Sequence, residues 1–129
     1  MKETISWQDF ERKMIQVFGR NCHNVDGLYF NVIKENRIGE RIRFKDDEVL
    51  RYLQELYNMT GELYVVTDYC YEHNHGPFIV RANEIESFVN TFKDIFGTPF
   101  YSTDVIIVNF EKKILWVFFH EGICWVSKN

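Results

Sequence analysis

Apolar residues recur along this chain in two rhythms. Near the start, Trp7, Phe10, Met14, Ile15 and Phe18 fall at three- and four-residue intervals, the stripe of an amphipathic helix. Ser6 is a candidate N-cap with Asp9 as its capping-box partner, and Gly19 supplies the stop. A second stripe of Val49, Leu50, Leu53, Leu56 and Tyr57 follows a cap at Asp46 or Asp47, with Gly61 as its end. A third, of Ile85, Phe88, Val89, Phe92, Ile95 and Phe96, follows a cap at Asn83 and is closed by Gly97 and Pro99.

The other rhythm is that of strands. Residues 28–34 read as one strand, and 41–44 as a second, short one across a turn at 36–39. Residues 62–70 read as a central strand, because Leu63-Tyr64-Val65-Val66 is apolar on both faces. Phe78-Ile79-Val80 predicts a short strand, with loops at 20–27 and 71–77 on either side of this stretch. After Asp104 three β-branched and aromatic runs, joined by two tight polar turns, predict an antiparallel meander. The order segregates the final strands from the helices, which makes the chain a single α+β domain over residues 1–129. The expected sheet is antiparallel or mixed, with about five to six strands ending in the three-strand meander and three helices packed mainly on one face. Apolar side chains on both faces of the meander leave two options. Either the sheet is sandwiched, or one face is kept for a partner, which could be a second copy of the chain in a homodimer.

Composition sharpens that choice. Of the 129 residues 17% are aromatic, with 12 Phe, 7 Tyr and 3 Trp, an excess that serves a dense core or a binding surface. The net charge of -4 argues against direct nucleic-acid binding, which needs a basic face, and suits a basic protein partner. Cys22, Cys70 and Cys124 are odd in number and far apart, so reduced thiols and a cytoplasmic protein are expected. The charged first residues predict no signal peptide, and no apolar run is long enough to span a membrane.

Candidate chemistry is sparse. His and Cys gather at Cys70-x-x-His73-x-His75, with Cys22-His23 and His120-x-x-x-Cys124 elsewhere. The spacing does not pair two close ligands on each of two elements, as a tetrahedral zinc site would, so no metal or other cofactor is expected. Cys70 and Cys124 lie in apolar strands, where a thiol packs as a small hydrophobe. Asp68, Glu72, Glu84, Glu86 and Asp104 are spaced as ordinary loop and helix-start acids, and no phosphate-loop, nucleophile-elbow or zinc-protease motif occurs. No enzyme is therefore expected. The alternative is a small metal-dependent or cysteine enzyme centred on Cys70, His73, His75, His120 and Glu121, or a homodimeric structural subunit. A different feature stands out on charge. Asp68, Tyr69, Tyr71, Glu72, His73 and Glu84 interleave acids with rings in one short stretch, the composition of a partner-binding rim with aromatic anchors.

The run Thr67-Asp68, then Gly76-Pro77-Phe78-Ile79-Val80, a helix with Phe88 and Phe92, Ser102-Thr103-Asp104-Val105-Ile106-Ile107 and Trp116-Val117-Phe118-Phe119-His120-Glu121-Gly122 resembles small bacterial immunity proteins. These belong to contact-dependent growth inhibition and polymorphic toxin systems, and the resemblance spans residues 62–126. It implies a cytoplasmic inhibitor without catalysis of its own, which binds a cognate toxin domain delivered by a sibling cell. Many such toxins are nucleases, basic because they grip phosphates, and an acidic aromatic surface is their physical complement. No site residue transfers from the resemblance.

Overall fold

The structure, a computed structural model, describes residues 3–19, 37–41, 46–119 and 123–128. Helix α1 spans Trp7–Phe18, strand β1 Arg37–Arg41 and helix α2 Asp46–Leu56. Strand β2 (Glu62–Val66) leads into a short helix α3 (Asp68–Glu72), and β3 (Phe78–Arg81) into helix α4 (Ile85–Phe96). The meander follows as β4 (Val105–Asn109), β5 (Ile114–Phe119) and β6 (Ile123–Lys128). Among the described residues all pairings are antiparallel, and six strands lie in the order β1-β6-β5-β4-β2-β3.

Alternation along the strands builds two cores. Leu63, Val65, Ile107, Trp116 and Phe118 face one side, where they meet Val49, Leu50 and Leu53 of α2 and Phe88, Val89 and Phe92 of α4. Tyr64, Val66, Ile106, Val108, Leu115 and Val117 face the other, where they meet Phe10 and Met14 of α1. Of the three long helices among the described residues, two share one face and α1 covers the second. The sheet is thus sandwiched, and every residue of β4 and β5 is buried. The period-2 pattern fills both sides because each has its own helix stripe to pack against.

The helix ends are set by local chemistry. The Ser6 hydroxyl accepts from the Asp9 N–H at 3.1 Å, and Gly19, left-handed at φ 76°, donates to the Ile15 carbonyl. Ahead of α1, the Glu3 carbonyl accepts from Ile79 N–H and Ile5 N–H donates to Pro77, with Thr4 bridging Phe78, so the N-terminal segment lines the edge of β3. The same approach requires Gly76. Its φ is +67°, and a Cβ there would run into the Ile5 carbonyl. The Asp46 carboxylate ties α2 to the segment after α4 by accepting the Phe100 and Tyr101 N–H groups at 2.8 and 2.9 Å.

Several local expectations are corrected. Residues 37–41, placed in a turn and the start of a strand, form β1, because pairing from Arg37↔Ser127 to Arg41↔Ile123 supplies the ladder that the charged, Gly-containing sequence does not advertise. The strand expected over 62–70 stops at Val66. Thr67 is extended (φ -130°, ψ 169°) and its carbonyl takes the Cys70 N–H, so residues 68–72 turn helical where a strand end and loop were expected. Helix α2 ends at Leu56, not Gly61, which sits at the entry to β2. A 3-10 turn, Ala82–Glu84, precedes α4 and moves its N-cap from Asn83 to Glu84. Ile15 and Ile95, read as inward-facing, are 53% and 67% exposed, since the stripes of α1 and α4 are complete without them. The expected loop at 20–27 and strand at 28–34 lie outside the described residues, as do 42–44 of the expected strand 41–44.

Candidate functional site

Helix α3 is only five residues long, and its faces go to different neighbours. Cys70 points inward, buried, with its Sγ 3.6 Å from Thr67 Oγ1 and 3.9 Å from the Val65 carbonyl. Tyr69 and His73, four residues apart, stack at 3.9 Å with their planes 19° apart, and the His73 ring nitrogen Nδ1 lies 3.2 Å from the Tyr69 carbonyl oxygen. Tyr69 also meets Phe96 of α4 edge-on at 4.6 Å. Tyr71 turns the other way and stacks on Trp7 of α1 at 4.6 Å. The chain then reverses through Asn74, at φ 47°, with His75 N–H bonded back to the Cys70 carbonyl.

Between α3 and the end of α4 this leaves a hollow of about 140 Å³, and Asp68, Tyr69, Glu72 and His73 all line it with Phe96 and Pro99. A second hollow of about 250 Å³ runs along α4, lined by Glu84, Ser87, Phe88, Thr91, Ile95 and the same Phe96. Four of the six predicted rim residues thus converge on one hollow, Glu84 stands at the next, and Tyr71 belongs to the contact with α1. Of the described residues lining the two hollows, three are acids and none is Lys or Arg. A larger, open cleft of about 410 Å³ shares Asn83 with the second hollow and carries Arg81 with the turn at Asn58–Gly61; none of its described lining residues is an acid.

Sequence reasoning missed Ile95, Phe96 and Pro99 as surface residues of this site. A signal existed. Ile85, Phe88, Val89, Phe92 and Phe96 already complete the α4 stripe, so the further apolar residue at 95 widens it toward solvent.

The thiols are poor nucleophiles. Burial pushes the Cys70 thiol upward from its ordinary value and the Cys124 thiol to about 12. Cys70 faces the core while His73 lies outside on Tyr69, so adjacency in sequence does not bring sulfur and imidazole to one site. Among the described residues no group of three or more His, Cys, Asp or Glu side chains is arranged to hold a metal ion. Cys22, His23, His120 and Glu121 lie outside the described residues. No helix among those described is long and apolar enough to cross a membrane.

No protein-family model matches the chain, and no curated protein or solved structure matches it either.

Proposed function

We propose that this chain is a non-catalytic protein-binding inhibitor: an immunity protein that works in the cytoplasm by binding and neutralising a cognate, basic toxin domain. The observation that carries the reading is the gathering of Asp68, Tyr69, Glu72 and His73 on one hollow, with Glu84 on the next and no Lys or Arg lining either among the described residues. Acidic groups around stacked rings attract a basic partner at long range and offer it flat apolar contact at short range. The resemblance to immunity proteins of contact-dependent growth inhibition and polymorphic toxin systems supports the same reading, with a nuclease as the natural basic partner. Neither nucleic acid nor membrane is a partner in it. The buried faces of the sheet favour the rim over the sheet as the contact, because exposing β4 or β5 to a partner would first require lifting a helix.

The test is co-expression with the C-terminal region encoded by the upstream neighbouring gene, scored by growth and by co-purification. Rescue with a stable one-to-one complex is the expected result; toxicity that persists, or absence of any complex, overturns the reading. In that complex Asp68→Lys with Glu72→Lys slows association about tenfold or more and flattens its salt dependence, with thermal stability unchanged. Association kinetics equal to the parent would remove the rim from the interface.

A further inference from the structure

Ile95 is the most exposed large apolar side chain among the described residues, at 67%, against 53% for Ile15 and 43% for Tyr71. Tyr71 is accounted for by its stack on Trp7. Ile95 differs from Ile15 in setting: it lines the 250 Å³ hollow, whereas Ile15 lines none of the three described above. Phe96, next to it, lines both hollows and is held from beneath by Phe92 at 4.5 Å and Phe78 at 5.4 Å. Ile95 and Phe96 therefore form an apolar ridge on a rigid helix, with a hollow on each side. Glu84 stands on one side and Asp68 and Glu72 on the other, while Lys93, the neighbouring base on α4, lines neither hollow.

We infer that this ridge is the docking surface for a basic protein segment, which seats an apolar side chain in the Ile95 hollow and sets Lys or Arg side chains toward Glu84, Asp68 and Glu72. The inference rests on the inhibitor reading above and deepens it, by moving the centre of the contact from α3 to the last turn of α4. Charge complementarity selects the occupant: an acidic or neutral segment would gain the apolar contact but meet three carboxylates around it. The ridge supplies the apolar centre, and the acids supply the polar rim, as in binding sites whose affinity is concentrated in a few desolvated groups.

The experiment uses the full chain, isotope-labelled, titrated with a decapeptide of alternating Leu and Lys and separately with one of alternating Leu and Glu. Expected are amide shifts centred on Glu84, Ile95, Phe96 and Glu72 with the Lys peptide and none there with the Glu peptide. Ile95→Arg should abolish those shifts, while Ile15→Arg, the same change at the exposed isoleucine in the last turn of α1, should leave them intact. Absence of shifts at millimolar peptide, shifts spread over the whole surface, or indifference to Ile95→Arg would overturn the docking surface. With the neighbour-encoded toxin domain, Ile95→Arg should weaken binding by about thirtyfold, the size of a lost hot spot. Tight binding by both parent and Ile95→Arg defeats the ridge but spares the inhibitor reading. No binding by the parent, with localised peptide shifts, defeats the inhibitor reading but spares the ridge.

Discussion

In the meander Trp116, Phe118 and Phe119 disappear into two cores, whereas around α3 and α4 Tyr69, His73 and Tyr71 stack where solvent still reaches them. The two regions draw on the same residue types. What separates them is coverage: the strands have a helix stripe over each face, and α3 is too short to bury more than Cys70. Aromatic content alone therefore does not mark a binding surface. A ring marks one only where the fold leaves it half covered and surrounds it with one sign of charge.

The comparison breaks most readily at the sheet. Trp116→Ala removes a ring that is 1% exposed and the Nε1–H bond to the Tyr57 carbonyl at 2.9 Å, and a loss of about 3 to 5 kcal/mol in a urea titration is expected. A loss below about 1 kcal/mol would mean that the strand face is not closed after all. Asp46→Ala should come next, at about 1 to 3 kcal/mol, because two backbone N–H groups at Phe100 and Tyr101 lose their acceptor.

The pH dependence has a defined sign. Burial, and then the 2.7 Å bond to Glu62, raises Tyr64 from 10.0 to about 12, and burial raises Cys124 from 9.0 to about 12. Both groups are held neutral in the fold, so their contribution is complete below pH 9 and is lost as pH climbs from 9 toward 12. The denaturation midpoint should fall across that window, and Tyr64→Phe should shallow the fall. The smallest effect belongs to the rim: His73→Ala and Ile95→Arg should each change stability by no more than about 0.5 kcal/mol in the same titration. A loss above about 2 kcal/mol for either would assign the rim to the core and erase the contrast.

The meander, the three amphipathic stripes and the paired faces of Leu63–Val66 were legible because each is a local pattern carried by side-chain period. β1 was not, because its ladder is made with β6 on the far side of the sequence, and Arg-Ile-Gly-Glu-Arg has no periodic apolar face to betray it. Helix α3 was hidden by the apolar run before it, and only the Thr67 turn reveals where the strand gives out. In the candidate site, charge and ring content pointed to Asp68, Tyr69, Tyr71, Glu72, His73 and Glu84, of which Tyr71 turns to Trp7 of α1 instead of a hollow. Pro99 and Phe96 could not be joined to them without knowing that α4 ends beside α3.

The strip of backbone from Glu3 to Ile5 has a consequence for how copies of this molecule behave in a crowd. An outer strand with unused amides invites another chain to extend the sheet, and β3 would present the Ile79 N–H and the Pro77 carbonyl in that way. Glu3 and Ile5 occupy both, and Gly76 is what lets them come close enough to do so. A side chain at position 76 would pry this strip from the sheet, and its first symptom would be turbidity at high concentration, through growth along the β3 margin.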